Sequence, residues 1–277
     1  MIKVAVLGAG GKMGIEVLRS VSADKDLELV AAVDPKLQGI DVRQVAGIEC
    51  QGLEFLSDIE SLEDAMPDVA VDFTNAKAAI KNIKFLISNS IHGVIGTSGI
   101  SENEIAEVKK LMMDDNSNVS PKLPANIVMV SNFAIGAVLM MHFAEIAAKF
   151  FDHVEIIEEH HDQKIDAPSA TAITTANRIM LARSNSEAVS FLNDKTVHHT
   201  LEGSRGAKGP GGIPIHSVRM RGLVAHQEVL FGTDGQTLSI RHDSMSRASF
   251  MPGVILAIKK INEIKGLTVG LDKLLGL

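Results

Sequence analysis

Ile2–Leu7 is an apolar run broken only by Lys3, which suits a parallel strand buried on both faces. A glycine-rich turn, Gly8-Ala9-Gly10-Gly11-Lys12-Met13-Gly14, follows, and residues 12–21 carry the spacing of an amphipathic helix. Leu27–Val33, apolar except for Glu28, reads as a second strand and closes on Asp34-Pro35. The alternation repeats, predicting strands over 69–73, 93–95 and 124–130 and helices over 76–88 and about 102–113. These strands end in small polar residues: Asp72-Phe73-Thr74-Asn75, Gly96-Thr97-Ser98-Gly99 and Ser131-Asn132-Phe133. The order predicts an α/β fold, a Rossmann-like doubly wound parallel sheet with its ligand at the carboxyl ends of the strands.

Beyond Ala134 the pattern changes. Residues 134–150 are apolar on nearly all faces, with Met140, Met141, Phe143 and Ile146, and predict a helix bridging two domains. A strand over 154–157 leads into a dense polar stretch, Glu158 to Ala172, and a helix over 171–182 follows. Residues 202–214 carry Gly203, Gly206, Gly209, Gly211 and Gly212 with Arg205 and Lys208, and predict a mobile surface loop, an inert connection rather than a lid. Segments 215–219, 225–231 and 237–241 alternate apolar and polar residues and read as antiparallel strands with one wet face. A last helix over 249–264 is expected to return to the first domain. The expected organisation is a dinucleotide-binding domain, 1–131 with 245–277, and an inserted α+β domain, 132–244, with a mixed or antiparallel sheet for substrate binding and oligomerisation.

Composition narrows the function classes. The chain has 277 residues, 45% hydrophobic and 22% charged, which is ample for a core. Its net charge of -7 argues against a nucleic-acid partner, since phosphate contacts need a basic face. The single cysteine, Cys50, rules out a disulfide framework or a CxxC metal cage and reads as a small core or surface residue. No apolar run approaches a membrane span, and Met1-Ile2-Lys3 passes straight into a strand without a signal-peptide pattern, so a cytoplasmic protein without a membrane partner is expected.

Two stretches carry chemistry. The first is the βαβ unit. Its glycines allow a tight turn and a close backbone approach to a pyrophosphate, the helix start supplies positive potential, and Asp34 stands where an acid accepts bonds from the adenosine ribose. Gly8, Gly10 and Gly14 miss the GxGxxG spacing by one residue, whereas Gly8, Gly11 and Gly14 fit a GxxGxxG variant. Gly96-Thr97-Ser98 and Ser131-Asn132-Phe133 suit either ligand contact or helix capping.

The second is Glu158-Glu159-His160-His161-Asp162-Gln163-Lys164-Ile165-Asp166-Ala167-Pro168-Ser169-Ala170-Thr171-Ala172. Histidine titrates near neutrality and suits a proton donor. His160 and His161 are neighbours, so they point apart and hold different jobs. Lys164 suits a carboxylate, and Ser169, Thr171 and the N–H groups of a helix start suit a second one. A zinc site built on His160, His161 and Asp162 lacks further ligands at a recognisable spacing, so no metal is expected. His198-His199 is expected to be exposed, and Arg241-His242-Asp243-Ser244 to be an ion-paired hinge.

At these residues the chain resembles the 4-hydroxy-tetrahydrodipicolinate (dihydrodipicolinate) reductase family. The glycine turn with Lys12-Met13-Gly14, the run Gly93 to Gly99 and the stretch Glu158 to Ala172, similar to the family's E-x-H-H-x-x-K-x-D-A-P-S-G-T-A, carry the resemblance; Asp72-Phe73-Thr74 and Ser131-Asn132-Phe133 match as well. The likeness runs from Met1 to the last helix. It implies NAD(P)H-dependent reduction of a small cyclic dicarboxylate in diaminopimelate and lysine biosynthesis, by a homotetramer. It further implies His160 as proton donor with Lys164 as catalytic partner, and substrate positions at His161 and Ala170-Thr171, beside Ser169. Cofactor positions are implied at Gly8, Ala9, Gly10, Gly11, Lys12, Met13, Asp34, Gly96, Thr97, Ser98, Val130, Ser131, Asn132 and Phe133. Asp34 favours NADH, while Lys12 and Lys36 offset its charge, so use of both NADH and NADPH is expected. The chain departs from the family at Ala170, where the family has glycine. A left-handed backbone there would cost about 1 kcal/mol or more. The alternatives are another NAD(P)-dependent amino-acid or semialdehyde dehydrogenase, and a non-catalytic NADH-binding sensor. The first leaves His160-His161 and Lys164 without a purpose, and the second lacks a visible output module.

Overall fold

A computed structural model describes residues 1–49, 52–114, 124–188 and 190–277, which leaves Cys50 outside the described residues. The chain divides into two compact units, Met1–Phe133 with Phe250–Leu277, and Ala134–Ser249.

The first unit runs β1 (Ile2–Leu7), α1 (Lys12–Ala23), β2 (Leu27–Val33), α2 (Val42–Ala46), β3 (Phe55–Leu56), α3 (Leu62–Ala65), β4 (Val69–Asp72), α4 (Ala76–Ser88), β5 (His92–Ile95), α5 (Glu102–Asp114) and β6 (Ile127–Met129). The second contains α6 (Ile135–Ala147), β7 (His153–His160), α7 (Ala170–Ser184), β8 (Ala207–Lys208), β9 (Pro214–Arg219), β10 (Ala225–Thr233) and β11 (Gln236–Ser244). The chain then returns to the first unit with α8 (Met251–Lys260), β12 (Leu267–Val269) and α9 (Asp272–Leu275).

Among the described residues, seven strands of the first unit form one sheet in the order β12-β6-β5-β4-β1-β2-β3, each paired in parallel with its neighbour. The apolar runs are explained by that position. Val4, Ala5, Val6, Ala70 and Val71 have no exposed surface, because helices cover both faces of a parallel sheet. Val17, Leu18 and Val21 of α1 and Ile83, Leu86 and Ile87 of α4 recur at helical spacing and are buried. Each such side chain contributes about 1.5–3 kcal/mol on leaving water. The strand order reverses between β1 and β4, and the crevice at such a switch point is where ligands bind in open α/β sheets.

Several expected elements differ. The strand expected over 124–130 is limited to Ile127–Met129. Pro124 has no N–H to give a ladder, and the Asn126 side chain donates to Ile261 O at 3.1 Å and accepts from Gly266 N at 3.0 Å. The C-terminal segment contributes more than a helix, since β12 pairs in parallel with β6 as the sheet's last strand.

The second unit's sheet has the order β11-β10-β7-β9-β8. Here β10 is antiparallel to β7 and to β11, as the alternation predicts, but β9 is parallel to β7. The intervening α7 explains this: a crossover helix brings the chain back in the same direction. The apolar α6 lies within this unit, against α7 and β11. The loop 202–214 is better tied than expected. Arg205 bonds Glu155 and, at 3.0 Å, Asp194, while β8 pairs with β9. His198 and His199 are exposed. Arg241 crosses the sheet to Glu159 at 3.0 Å and also binds Glu228 and Asp243, so it staples three strands instead of forming a hinge. Among the described residues no helix is long and apolar enough to cross a membrane.

In α8, a Cβ on Gly253 would collide with the Phe133 carbonyl oxygen. Gly253→Ala should therefore destabilise the first unit by about 1–3 kcal/mol. Thermal unfolding measures this, and an unchanged melting temperature would contradict it.

Candidate functional site

At the carboxyl end of β1, Gly8 has φ +71°, and a Cβ there would stand 2.7 Å from the Phe73 carbonyl oxygen. Gly14 packs so closely on Gly8 that a Cβ would meet the Gly8 carbonyl oxygen. The turn is pinned to β2 by Gly8 N and Ala9 N, which donate to Val33 O at 2.9 and 3.1 Å. Gly11 caps α1 without a side-chain bond, which leaves the first-turn N–H groups to a ligand. Asp34 accepts from Gly10 N at 3.0 Å through one oxygen and from Lys36 N at 3.1 Å through the other. The acid is thus fixed against the turn. Lys12 is exposed and Met13 half-buried at the helix start.

The neighbouring strand ends are tied to the same crevice. Asp72 is fully buried and accepts from Thr74 N at 2.8 Å, Thr74 Oγ1 at 2.7 Å, Thr97 Oγ1 at 3.0 Å and Asn82 Nδ2 at 2.8 Å. Gly96 lies against the Phe73 ring, where a Cβ would collide. The Phe73 and Phe133 rings are 5.7 Å apart, and Val130 N donates to Ile95 O at 2.9 Å. Ser98 and Ser131 are exposed, and Asn132 is half-buried. A left-handed glycine, an uncapped helix start, an acid at the second strand and cradles that a methyl would fill together suit a dinucleotide.

In the second unit, the end of β7 and the start of α7 hold the other candidates. Glu158 is fully buried, and its Oε2 binds His160 Nδ1 at 2.6 Å. Arg219 on β9 grips both carboxylate oxygens at 2.8 Å, and Ser169 N donates to Oε1 at 3.1 Å. Burial alone would raise this carboxyl, but hydrogen bonds from His160, Arg219 and Ser217 outweigh it and hold it at about 2. Arg219 also donates to Asp166 O at 2.7 Å. Lys164 is paired with the Asp166 carboxylate at 2.7 Å, and its ammonium holds that carboxyl below the usual range. His161 is exposed.

Ser169 is the N-cap of α7: its hydroxyl accepts from Ala172 N at 3.1 Å. Its side chain therefore caps the helix, and the helix start presents backbone N–H groups. Ala170 opens α7 at a position whose N–H has no partner within the helix. Among the described residues the non-glycines with positive φ are Met66 and Ser90, so Ala170 carries none of the backbone strain a left-handed position would impose. Among the described residues, no group of three His, Cys, Asp or Glu is arranged to hold a metal ion.

Three residues had no part in the sequence-based site. Arg219 lies 61 positions from its partner Glu158, and no local pattern joins them. Asn82 reads as an ordinary helix residue. Asp72, an acid closing an apolar strand, did carry a signal.

Family models for the dihydrodipicolinate reductase N-terminus and C-terminus match residues 2–133 and 136–275. The 4-hydroxy-tetrahydrodipicolinate reductase of Synechocystis sp. is 45% identical, over 99% of this chain and 98% of its own. That of Syntrophomonas wolfei is 47% identical, over 99% and 98%. A structure described as dipicolinate-bound dihydrodipicolinate reductase from Paenisporosarcina sp. covers 99% of each chain at TM-score 0.83 and 40% identity. An amine dehydrogenase from Mycobacterium smegmatis, 15% identical at TM-score 0.65, shares the fold alone. This chain belongs to the dihydrodipicolinate reductase family.

Proposed function

We propose that this chain reduces 4-hydroxy-tetrahydrodipicolinate to tetrahydrodipicolinate with NAD(P)H, in diaminopimelate and lysine biosynthesis. The observation that carries the proposal is that His160 and the start of α7 both bond the buried Glu158, whose partner Arg219 also holds the backbone of Asp166, the residue paired with Lys164, in a chain of this family. When bound, NAD(P)H would supply the hydride for ring C4 of the unsaturated intermediate that forms as the 4-hydroxyl leaves as water with a hydrogen from the neighbouring carbon. His160 then gives a proton to the neighbouring ring carbon. Lys164 meets one substrate carboxylate by exchanging its partner Asp166 for it, and His161 contacts the same substrate. The start of α7 takes the second through the N–H groups of Ala170 and Thr171, and Ser169, whose N–H is given to Glu158, adds its hydroxyl hydrogen. The glycine turn with Gly8, Ala9, Gly10, Gly11, Lys12 and Met13 holds the pyrophosphate, and Asp34 the ribose. Gly96, Thr97, Ser98 and Val130 to Phe133 line the rest of the cofactor site.

Asp34 favours NADH through the ribose hydroxyls, while Lys12 and Lys36 offer cations to a 2′-phosphate, so both cofactors should work. By its family likeness the enzyme is a cytoplasmic homotetramer.

Purified protein should oxidise NADH and NADPH at 340 nm when the preceding synthase generates substrate from pyruvate and aspartate semialdehyde. Cofactor that binds without synthase-dependent oxidation would contradict the reading. His160→Ala and Lys164→Ala should each lower turnover by roughly a hundredfold or more. Their NADH affinity should stay near wild type, and a parallel loss of NADH binding would point to a structural role instead. Ala170 opens a helix with ordinary φ, so Ala170→Gly should leave dipicolinate affinity within about threefold of wild type, the small cost of glycine in a helix. Titration calorimetry with dipicolinate decides, and a tenfold change in either direction would refute it.

A further inference from the structure

Resting on the reductase reading above, we infer that Glu158 and Arg219 are positioning residues that fix which nitrogen of His160 delivers the proton. The carboxylate of Glu158 stands 2.6 Å from His160 Nδ1. With its carboxyl held at about 2, Glu158 is ionised at neutral pH. An ionised carboxylate only accepts hydrogen bonds, so Nδ1 carries the hydrogen. Nε2 is then the nitrogen that exchanges a proton with substrate. During the transfer the Nε2–H bond breaks, its electron pair stays on nitrogen, and a C–H bond forms at the substrate carbon. The neutral ring left behind is the Nδ1–H tautomer that Glu158 already holds. Uptake of a proton from solvent at Nε2 restores the donor, with no change of tautomer.

Arg219 sets how strongly Glu158 acts. Its two Nη atoms grip the two carboxylate oxygens at 2.8 Å, so the negative charge is shared between guanidinium and imidazole. Nη2 also reaches Asp166 O at 2.7 Å, and Glu158 Oε1 accepts from Ser169 N at 3.1 Å. This ion pair, with its carboxylate buried and its guanidinium partly exposed, thereby registers the histidine against the Lys164 loop and against the start of α7. The charged groups around it are His160 on β7, Arg219 on β9 and the Lys164–Asp166 pair in the loop. Ser217 on β9 and Gln227 on β10, both neutral, pair with Glu158 in register, and His242 on β11 follows one strand further out. Gln227 donates to Thr175 of α7 at 2.7 Å.

The two partners pull in opposite directions. Loss of the Glu158 charge takes a counter-charge away from the His160 ring, whereas loss of Arg219 leaves the whole carboxylate to the histidine. The test is the pH dependence of kcat/KM for synthase-dependent NADH oxidation in wild type, Glu158→Gln and Arg219→Met. Glu158→Gln should lower kcat/KM at pH 7 about tenfold or more, and start the alkaline fall in activity about one pH unit lower. Arg219→Met should move that fall to higher pH. NADH affinity should be kept in both variants, because the glycine turn belongs to the other unit. Profiles that keep the wild-type shape while only amplitude or melting temperature drops would overturn the inference. If Glu158→Gln fails to fold, Arg219→Met decides alone: an alkaline limb that stays put or moves down overturns it. An inactive wild type sinks the reductase reading as well, while an active wild type with unmoved profiles sinks this inference only.

Discussion

A carboxylate with no exposed surface organises the second unit's chemistry. Burying Glu158 without partners would cost several kcal/mol, and the chain meets that cost with Arg219, His160 and the Ser169 N–H. Those partners come from three pieces of chain: the end of β7, the end of β9 and the start of α7. Satisfying one charge therefore fixes the spacing of all three. The parallel pairing of β9 with β7 is what delivers Arg219 to its register position opposite His160. A topological feature and an electrostatic one are here a single constraint.

The first unit solves a different problem. A dinucleotide needs backbone brought close to phosphate, and the chain provides that by leaving atoms out. Gly8, Gly14 and Gly96 each stand where a methyl group would meet other atoms. The polar counterpart is Asp72, buried like Glu158 but surrounded by neutral donors from Thr74, Thr97 and Asn82. It ties the ends of β4 and β5 together with α4, so the loops that would hold a cofactor hang from one saturated carboxylate.

The first unit was legible in the sequence because a parallel sheet buried on both faces leaves continuous apolar runs, and β1, β2 and β4 are such runs. The elements that escaped notice are those too short to show a period, such as the two residues of β3 and the three of β12. Direction escaped as well: alternation marks β9 as a strand with one wet face but carries no sign for parallel or antiparallel. In the second unit, His160, Lys164 and Ser169 were readable as a group because they are close in sequence. Arg219 was not, since its claim on Glu158 exists only once β7 and β9 are paired. The doubt over Ala170 was one of backbone conformation, which the sequence leaves open and the helical start of α7 resolves.

Isotope placement distinguishes hydride transfer to ring C4 from any other route of reduction. The reaction would be run with NADH deuterated at the transferable position of the nicotinamide, with synthase-generated substrate, and the product analysed by mass spectrometry and NMR. The account predicts one deuterium in tetrahydrodipicolinate, at C4. Deuterium at another carbon, or NADH oxidation that leaves the product unlabelled, would contradict it.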